Sequence, residues 1–159
     1  MEPLINQIHK LLIKNKKTLA VAESCTGGLL SYLLTSVSGS SKYFVLGLVA
    51  YSNPSKTSIL GIPAQTIAKK GAVSKEIAAN MSKSVKNLAK TDFGIGITGI
   101  AGPTGDSAAK PVGTVFISVQ AKKQKICREF RFRGSRRTIR KAAVLKALEL
   151  LKTLIYKEG

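Results

Sequence analysis

The stretch TLAVAESCTGGLLSYLLTSV, Thr18–Val37, decides the fold. Thr18–Glu23 is a short apolar run of strand length. Thr26–Val37 then takes helical composition, and it begins with Gly27-Gly28, where backbone can approach another group closely. A strand that passes through a glycine turn into a helix is the repeating unit of an α/β protein.

The same alternation extends in both directions. Upstream, Pro3 is followed by Leu4, Ile5, Ile8, Leu11 and Leu12 at helical spacing. Downstream, Tyr43–Tyr51 has strand length and is rich in Val, Phe and Tyr. Pro54–Leu60 and Pro63–Lys69 are predicted as short helices. Ser74 is a predicted N-cap, with Ile77, Ala78, Met81, Val85 and Leu88 as the stripe of the helix it starts. Asp92–Ile100 alternates Phe93, Ile95 and Ile97 with Gly94 and Gly96, a strand with one nearly bare face. A glycine-rich loop, Ala101–Pro111, follows. Val112–Gln120 and Lys125–Phe132 are predicted as a hairpin about Ala121–Gln124, and Ser135–Tyr156 as a long closing helix. The order α-β-α-β-α-α-β-β-β-α predicts a three-layer α/β/α sandwich. The hairpin makes its sheet mixed, though mostly parallel.

Composition bounds the reading. A chain of 159 residues, 44% hydrophobic and 21% charged, is expected to form one α/β domain, residues 1–159, with a core of its own. Cys25 and Cys127 lie far apart and form neither a CxxC nor a metal-ligand spacing. Two thiols of this kind fit a reducing compartment. Met1–Lys17 lacks an unbroken apolar stretch, and Phe44–Tyr51 is far too short to span a membrane. A cytoplasmic location with no membrane partner is therefore expected. The net charge is +18, with ten basic residues and one acid, Glu129, between Lys122 and Lys141. Such a face attracts phosphates or nucleic acid. It also fits a chain that uses surface lysine for solubility.

The residue inventory then narrows the chemistry. His9 is the one histidine and lies on an apolar helix flank, so a Ser-His-Asp triad is not expected. No cluster of His, Cys and carboxylates marks a metal site, and no cofactor is expected. A hydrolase built from these residues would use a lysine base with a Ser, Thr or Cys nucleophile. Lowering a lysine from ~10.4 to about 7–8 costs several kcal/mol, so that lysine must be shielded from water. The candidate segments are Ser38-Gly39-Ser40-Ser41-Lys42 and Tyr51-Ser52-Asn53-Pro54-Ser55-Lys56, which bracket one strand. A strand of ~9 residues spans about 30 Å. Ser41 and Lys56 therefore meet only if the chain bends or a second subunit supplies one of them. Read alone, the two segments are equally a plain turn and a surface lysine.

Two further constellations fit ligand binding, the first of them equally a structural loop. Thr98-Gly99-Ile100-Ala101-Gly102-Pro103-Thr104-Gly105 falls at the end of a strand, where open α/β sheets bind ligands. Gly134-Ser135-Arg136-Arg137-Thr138-Ile139-Arg140 places cations in a first helical turn. Cations there oppose the helix dipole unless an anion is bound, so a phosphate site and a merely solvated helix end are equally open readings.

Taken in order, Ala22-Glu23-Ser24-Cys25-Thr26-Gly27-Gly28, Ser38–Ser41, Tyr51-Ser52-Asn53, Lys56, Gly71-Ala72-Val73-Ser74, Thr98–Pro103 and Lys110-Pro111-Val112-Gly113-Thr114 resemble the CinA C-terminal domain family. The resemblance runs from about Leu4 to Leu154. It implies a three-layer α/β/α fold, usually a homodimer. It also implies metal-free hydrolysis of nicotinamide mononucleotide, a small nucleotide, to nicotinate mononucleotide and ammonia. By motif correspondence, the resemblance makes Ser41 the nucleophile, Lys56 its base and Tyr51 the residue that relays or orients the proton. Thr98 would contact substrate or help hold the oxyanion. Arg136 and Arg140 would hold the phosphate. Ser24 would lie near the same pocket with the backbone of Gly27 and Gly28, and is the rival nucleophile. Gly99, Ala101 and Gly102 complete the implied binding loop. Two positions depart from the family pattern: Ser38 stands where a proline often precedes the Gly-Ser-Ser turn, and Thr104–Ala109 is poorer in glycine than usual. A basic nucleic-acid-binding or competence-related module is the alternative, and a silent nucleotide-binding relative is a third.

Overall fold

The computed structural model describes residues 1–158. Its elements are α1 (Glu2–Lys14), β1 (Leu19–Glu23), α2 (Leu29–Thr35), β2 (Phe44–Val49), α3 (Asn53–Ser58), α4 (Ala64–Lys70), α5 (Lys75–Ala89), β3 (Phe93–Gly99), β4 (Thr114–Gln120), β5 (Lys125–Arg131) and α6 (Arg136–Glu158). The strands form one sheet in the order β2-β1-β3-β4-β5. Neighbours β2, β1 and β3 are parallel, whereas β4 runs antiparallel to both β3 and β5. Four strands thus share one direction and β4 alone is reversed.

Two apolar cores make three layers. On one face, α1, α2 and α6 bury Ile5, Leu12, Leu30, Ile139 and Leu151 against Leu19, Val21, Ile95 and Ile117. On the other, Ala20 and Ala22 of β1 meet Ile62, Ile67, Ile77, Met81 and Val85 of the α3–α5 layer. Every residue of β1 is buried, as expected of a strand covered on both sides. The three-layer α/β/α sandwich of the sequence reading is the observed fold.

Caps explain several boundaries. The Ser74 Oγ accepts the Ile77 N–H at 3.3 Å and starts α5. The Ser52 Oγ accepts the Ser55 N–H at 3.2 Å and starts α3. The bare face of β3 also has its reason. A Cβ on Gly96 would meet the Ala78 carbonyl, and would come within 2.6 Å of the Ser82 nitrogen. The α5 backbone lies directly on the strand there. Gly96→Ala is expected to destabilise by about 2–3 kcal/mol, read as a lower urea midpoint.

Several boundaries differ from expectation, that of α2 most. The helix predicted over Thr26–Val37 spans only Leu29–Thr35, because residues 24–28 form a turn with Gly27 and Gly28 at φ of 56° and 90°. The strand predicted over Tyr43–Tyr51 spans only Phe44–Val49. A 3-10 turn, Ser40–Lys42, precedes it.

Candidate functional site

The C-terminal ends of β1 and β3 open into a cleft of about 200 Å³. Ser24, Tyr51, Asn53, Lys56, Thr98 and Arg136 line it, with the backbone of Gly99 and Ala101 and with Ala72 and Val73. A larger hollow of about 720 Å³ lies between α1 and α2, with Ile5, Leu29, Tyr32 and Leu33 on its walls. Its walls are mostly apolar, whereas the smaller cleft gathers a lysine, an arginine and several hydroxyl groups.

Lys56 is the centre of that cleft. It is a lysine in a six-residue helix, yet only 1% exposed. Its Nζ lies 2.9 Å from the Ala50 carbonyl, 3.4 Å from the Tyr51 carbonyl and 3.2 Å from the Ser24 Oγ. Among the described residues no carboxylate pairs with it. Burial without a counter-charge pushes its pKa below the ordinary lysine value. That is the condition a lysine needs to act as a base near neutral pH.

Ser24 is held in place from behind. The preceding residue, Glu23, is fully buried. Its Oε2 accepts the N–H groups of Gly28 and Leu30 at 3.1 and 3.0 Å, and its Oε1 accepts the N–H and the hydroxyl of Ser31 at 2.8 and 2.7 Å. One carboxylate thus satisfies the orphan donors at the start of α2 and ties that helix to the end of β1. The Ser24 N–H donates to the Ile97 carbonyl at 3.0 Å. The turn carrying Ser24 is therefore anchored on both sides. Cys25, next in the chain, is 5% exposed, and burial pushes its thiol up to about 12. Such a thiol stays protonated and is a poor nucleophile.

The arginines are engaged differently. Arg136 reaches into the cleft, where its guanidinium donates to the Gly102 carbonyl and to the Tyr51 hydroxyl, both at 2.8 Å. Arg140 spends its guanidinium on the Thr26 carbonyl at 2.6 and 3.1 Å, and so braces the Gly27-Gly28 turn from outside the cleft lining. The Thr98 hydroxyl donates to the Ala72 carbonyl at 2.7 Å, joining β3 to the loop before α5.

The structure thus brings together Ser24, Lys56, Tyr51, Thr98, Gly99, Ala101, Gly102 and Arg136. It does not bring Ser41 to Lys56 within one copy. Ser41 is exposed in the turn before β2, whereas Lys56 lies beyond its far end. The length of β2 is the reason, since Ser41 precedes its first residue, Phe44, and Lys56 follows its last, Val49. Asn53 and Val73 line the cleft and Glu23 supports it, without having been singled out as site residues; a single acid among apolar strand residues was the signal for Glu23. Among the described residues there is no group of three or more His, Cys, Asp or Glu that could hold a metal. No described helix is long and apolar enough to cross a membrane.

Comparison with known proteins bears on this geometry. The sequence profile of the CinA C-terminal domain matches residues 1–155. A "CinA-like protein" of Thermotoga neapolitana is 46% identical over 158 residues, covering 99% of this chain and 38% of that protein. A "CinA-like protein" of Syntrophus aciditrophicus is 47% identical over 152 residues, covering 95% of this chain and 36% of that protein. The chain thus spans little more than a third of those relatives. Among solved structures, the competence/damage inducible protein CihA from Agrobacterium tumefaciens superposes with a TM-score of 0.94 at 37% identity, covering 96% of this chain and 94% of that one.

Proposed function

This chain belongs to the CinA C-terminal domain family, and from that membership and the geometry of its cleft we propose that it is an amidohydrolase converting nicotinamide mononucleotide to nicotinate mononucleotide and ammonia. The observation that carries the proposal is the buried Lys56 Nζ lying 3.2 Å from the Ser24 Oγ at the C-terminal edge of the sheet. A serine hydroxyl beside an unpaired, desolvated lysine is the working part of a Ser-Lys acyl-transfer site.

In the proposed reaction a serine oxygen attacks the carboxamide carbon and its proton passes to neutral Lys56. Collapse of the tetrahedral adduct expels ammonia, which leaves with that proton. Water then hydrolyses the acyl-enzyme, and the serine regains its proton. Backbone N–H groups of the Thr98–Gly102 segment are the candidate oxyanion donors, each supplying about 3–4 kcal/mol. Motif correspondence makes Ser41 the attacking serine. The 3.2 Å contact favours a second reading, in which Ser24 itself attacks. Ser24→Ala and Ser41→Ala separate the two. If Ser24 attacks alone, Ser41→Ala keeps full turnover. If Ser41 attacks, Ser41→Ala loses it.

The deciding experiment is an ammonia-release assay on nicotinamide, its riboside and its mononucleotide. Turnover of the mononucleotide supports the proposal, and no release from any of the three rejects it. A nucleic-acid-binding module, the alternative drawn from the +18 charge, would instead show steeply salt-dependent filter binding without turnover. On the amidase reading, Arg136 exchanges its bonds to Tyr51 and Gly102 for the phosphate. Arg136→Ala is then expected to raise KM for the mononucleotide by about 10–100-fold, with little change for the riboside.

Lys56 also sets a pH dependence. Its folded-state pKa lies below its ordinary value of 10.5. As pH rises through that lowered value the amine becomes neutral and kcat rises. The unfolded chain binds more protons than the folded one between the lowered value and 10.5, so stability rises with pH over the same window. Against Lys56→Met, which lacks this term, wild type should gain stability as pH increases. A flat difference between the two would overturn the assignment.

A further inference from the structure

We propose that the hollow between the end of α5 and the β4–β5 hairpin is a second anion site, suited to a free chain of several phosphates. It lies apart from the Lys56 cleft and does not depend on the amidase reading.

The hollow has a volume of about 350 Å³. Lys83, Lys86 and Asn87 of α5 line one side of it, and Gln120, Lys122 and Lys125 of the hairpin line the other. Lys83 and Lys86 are three apart and so share one face of the helix. Lys122 and Lys125 open the basic run that ends at Lys141, but the α5 pair comes from another part of the chain. Only the fold joins the two pairs. No acid lines the hollow. The ion pairs among the described residues engage Lys17, Lys70, Arg131 and Lys146, and none of these four lysines.

The frame that carries the lysines is fixed. Helix α5 lies so close on β3 that a Cβ at Gly94 would come within 2.6 Å of the Lys86 Cβ. The hairpin is closed by the Ala121 N–H, which donates to the Gln124 carbonyl at 2.8 Å. The Gln120 side-chain amide braces the same turn by donating to the Ala121 carbonyl at 2.9 Å. The helix dipole favours a cation in the last turn of α5, which accounts for Lys86. It does not account for Lys122 and Lys125, which face the same hollow from a hairpin. Like charges gathered around a concavity focus a positive potential within it.

The chemistry of the walls selects the ligand. A lone phosphate carries a charge of about −2 and would leave half of the lysines unmatched. A chain of phosphates matches all four. No aromatic side chain lines the hollow, so a nucleic-acid base has nothing there to stack on. The place is also distinct from the cleft. Gln120 pairs with Gly94 near the start of β3, whereas the cleft opens beyond Gly99 at its end. A strand of that length separates the two by about 20 Å.

The test is calorimetric titration with inorganic tripolyphosphate at 0.15 M salt, where exposed charges more than about 8 Å away are screened. Saturable binding is expected in wild type, weakened about tenfold or more in Lys86→Gln/Lys125→Gln. Lys10→Gln/Lys14→Gln removes the same charge from exposed positions of α1 and should change the affinity by less than about twofold. Equal losses in the two double variants, or no binding by wild type, overturn the site. Loss on Arg136→Ala alone would place the anion in the Lys56 cleft and overturn it equally. ATP carries a triphosphate on a nucleoside and is expected to bind no more tightly than tripolyphosphate. Binding of ATP more than about tenfold tighter overturns the assignment to a free phosphate chain, as does an oligonucleotide that displaces tripolyphosphate at lower concentration. No arm reads ammonia release, so the amidase reading and this site stand or fall separately.

Discussion

Replacing Lys56 with methionine is expected to cut ammonia release by about 10³-fold while leaving the fold intact. Methionine keeps most of the buried stem and removes the amine, so the loss reads the base rather than a cavity. Two carbonyls, those of Ala50 and Tyr51, lose their donor. That penalty is about 1–3 kcal/mol for each carbonyl left buried and unpaired. It is offset by relief of a desolvated amine, which leaves the net stability change small. The measurement is kcat beside a urea midpoint on the same preparation. A fall in kcat with an unchanged midpoint assigns proton transfer to Lys56. Retained turnover would remove Lys56 from the mechanism altogether.

The second large effect is on stability. Glu23→Ala is expected to cost about 3–4 kcal/mol, because it strands the backbone donors of Gly28, Leu30 and Ser31 at a buried helix start. Glu23→Gln should cost less, since its carbonyl oxygen still accepts while its NH₂ faces other donors. Urea unfolding checks both. A change under 1 kcal/mol in the alanine variant would mean that water replaces the carboxylate as cap, on the order seen for exposed caps. Since Ser24 follows directly on Glu23, the alanine variant should lose turnover at temperatures where it is still folded.

Much of this molecule was legible in its residues. Apolar runs, alternation and helical spacing marked the strands and the longer helices, because burial on one or two faces leaves a direct imprint on composition. The bare face of β3 was visible as Gly94 and Gly96, although the helix pressed against it was not. Elimination narrowed the base to a lysine, in a chain whose one histidine lies on a helix flank, and the family resemblance singled out Lys56. Its burial was not legible, since a lysine beside Ser55 and Thr57 looks like any surface residue. Nor was the division between the arginines. Arg136 and Arg140 are one turn apart on the same helix, yet one faces the cleft and the other braces a turn. The start of α2 was set too early because its cap is not a local Ser or Asp. Glu23 performs that task from the end of a strand, five residues before Gly28.

The contact between β3 and α5 has a consequence for how damage would show itself. The two nearest atoms that exclude a side chain at Gly96 belong to the α5 backbone at Ala78 and Ser82, with the Met81 Cβ next. No trimming of a side chain on the helix could make room, so a lesion at Gly96 has no second-site remedy among its neighbours. The helix itself would have to shift, and its first turn follows immediately on Ala72 and Val73 at the rim of the cleft. A mutation in the dry middle of the sheet would therefore surface in a screen as an enzyme defect. Selection for turnover alone would score Gly96 as an active-site residue, although nothing bound in the cleft could touch it.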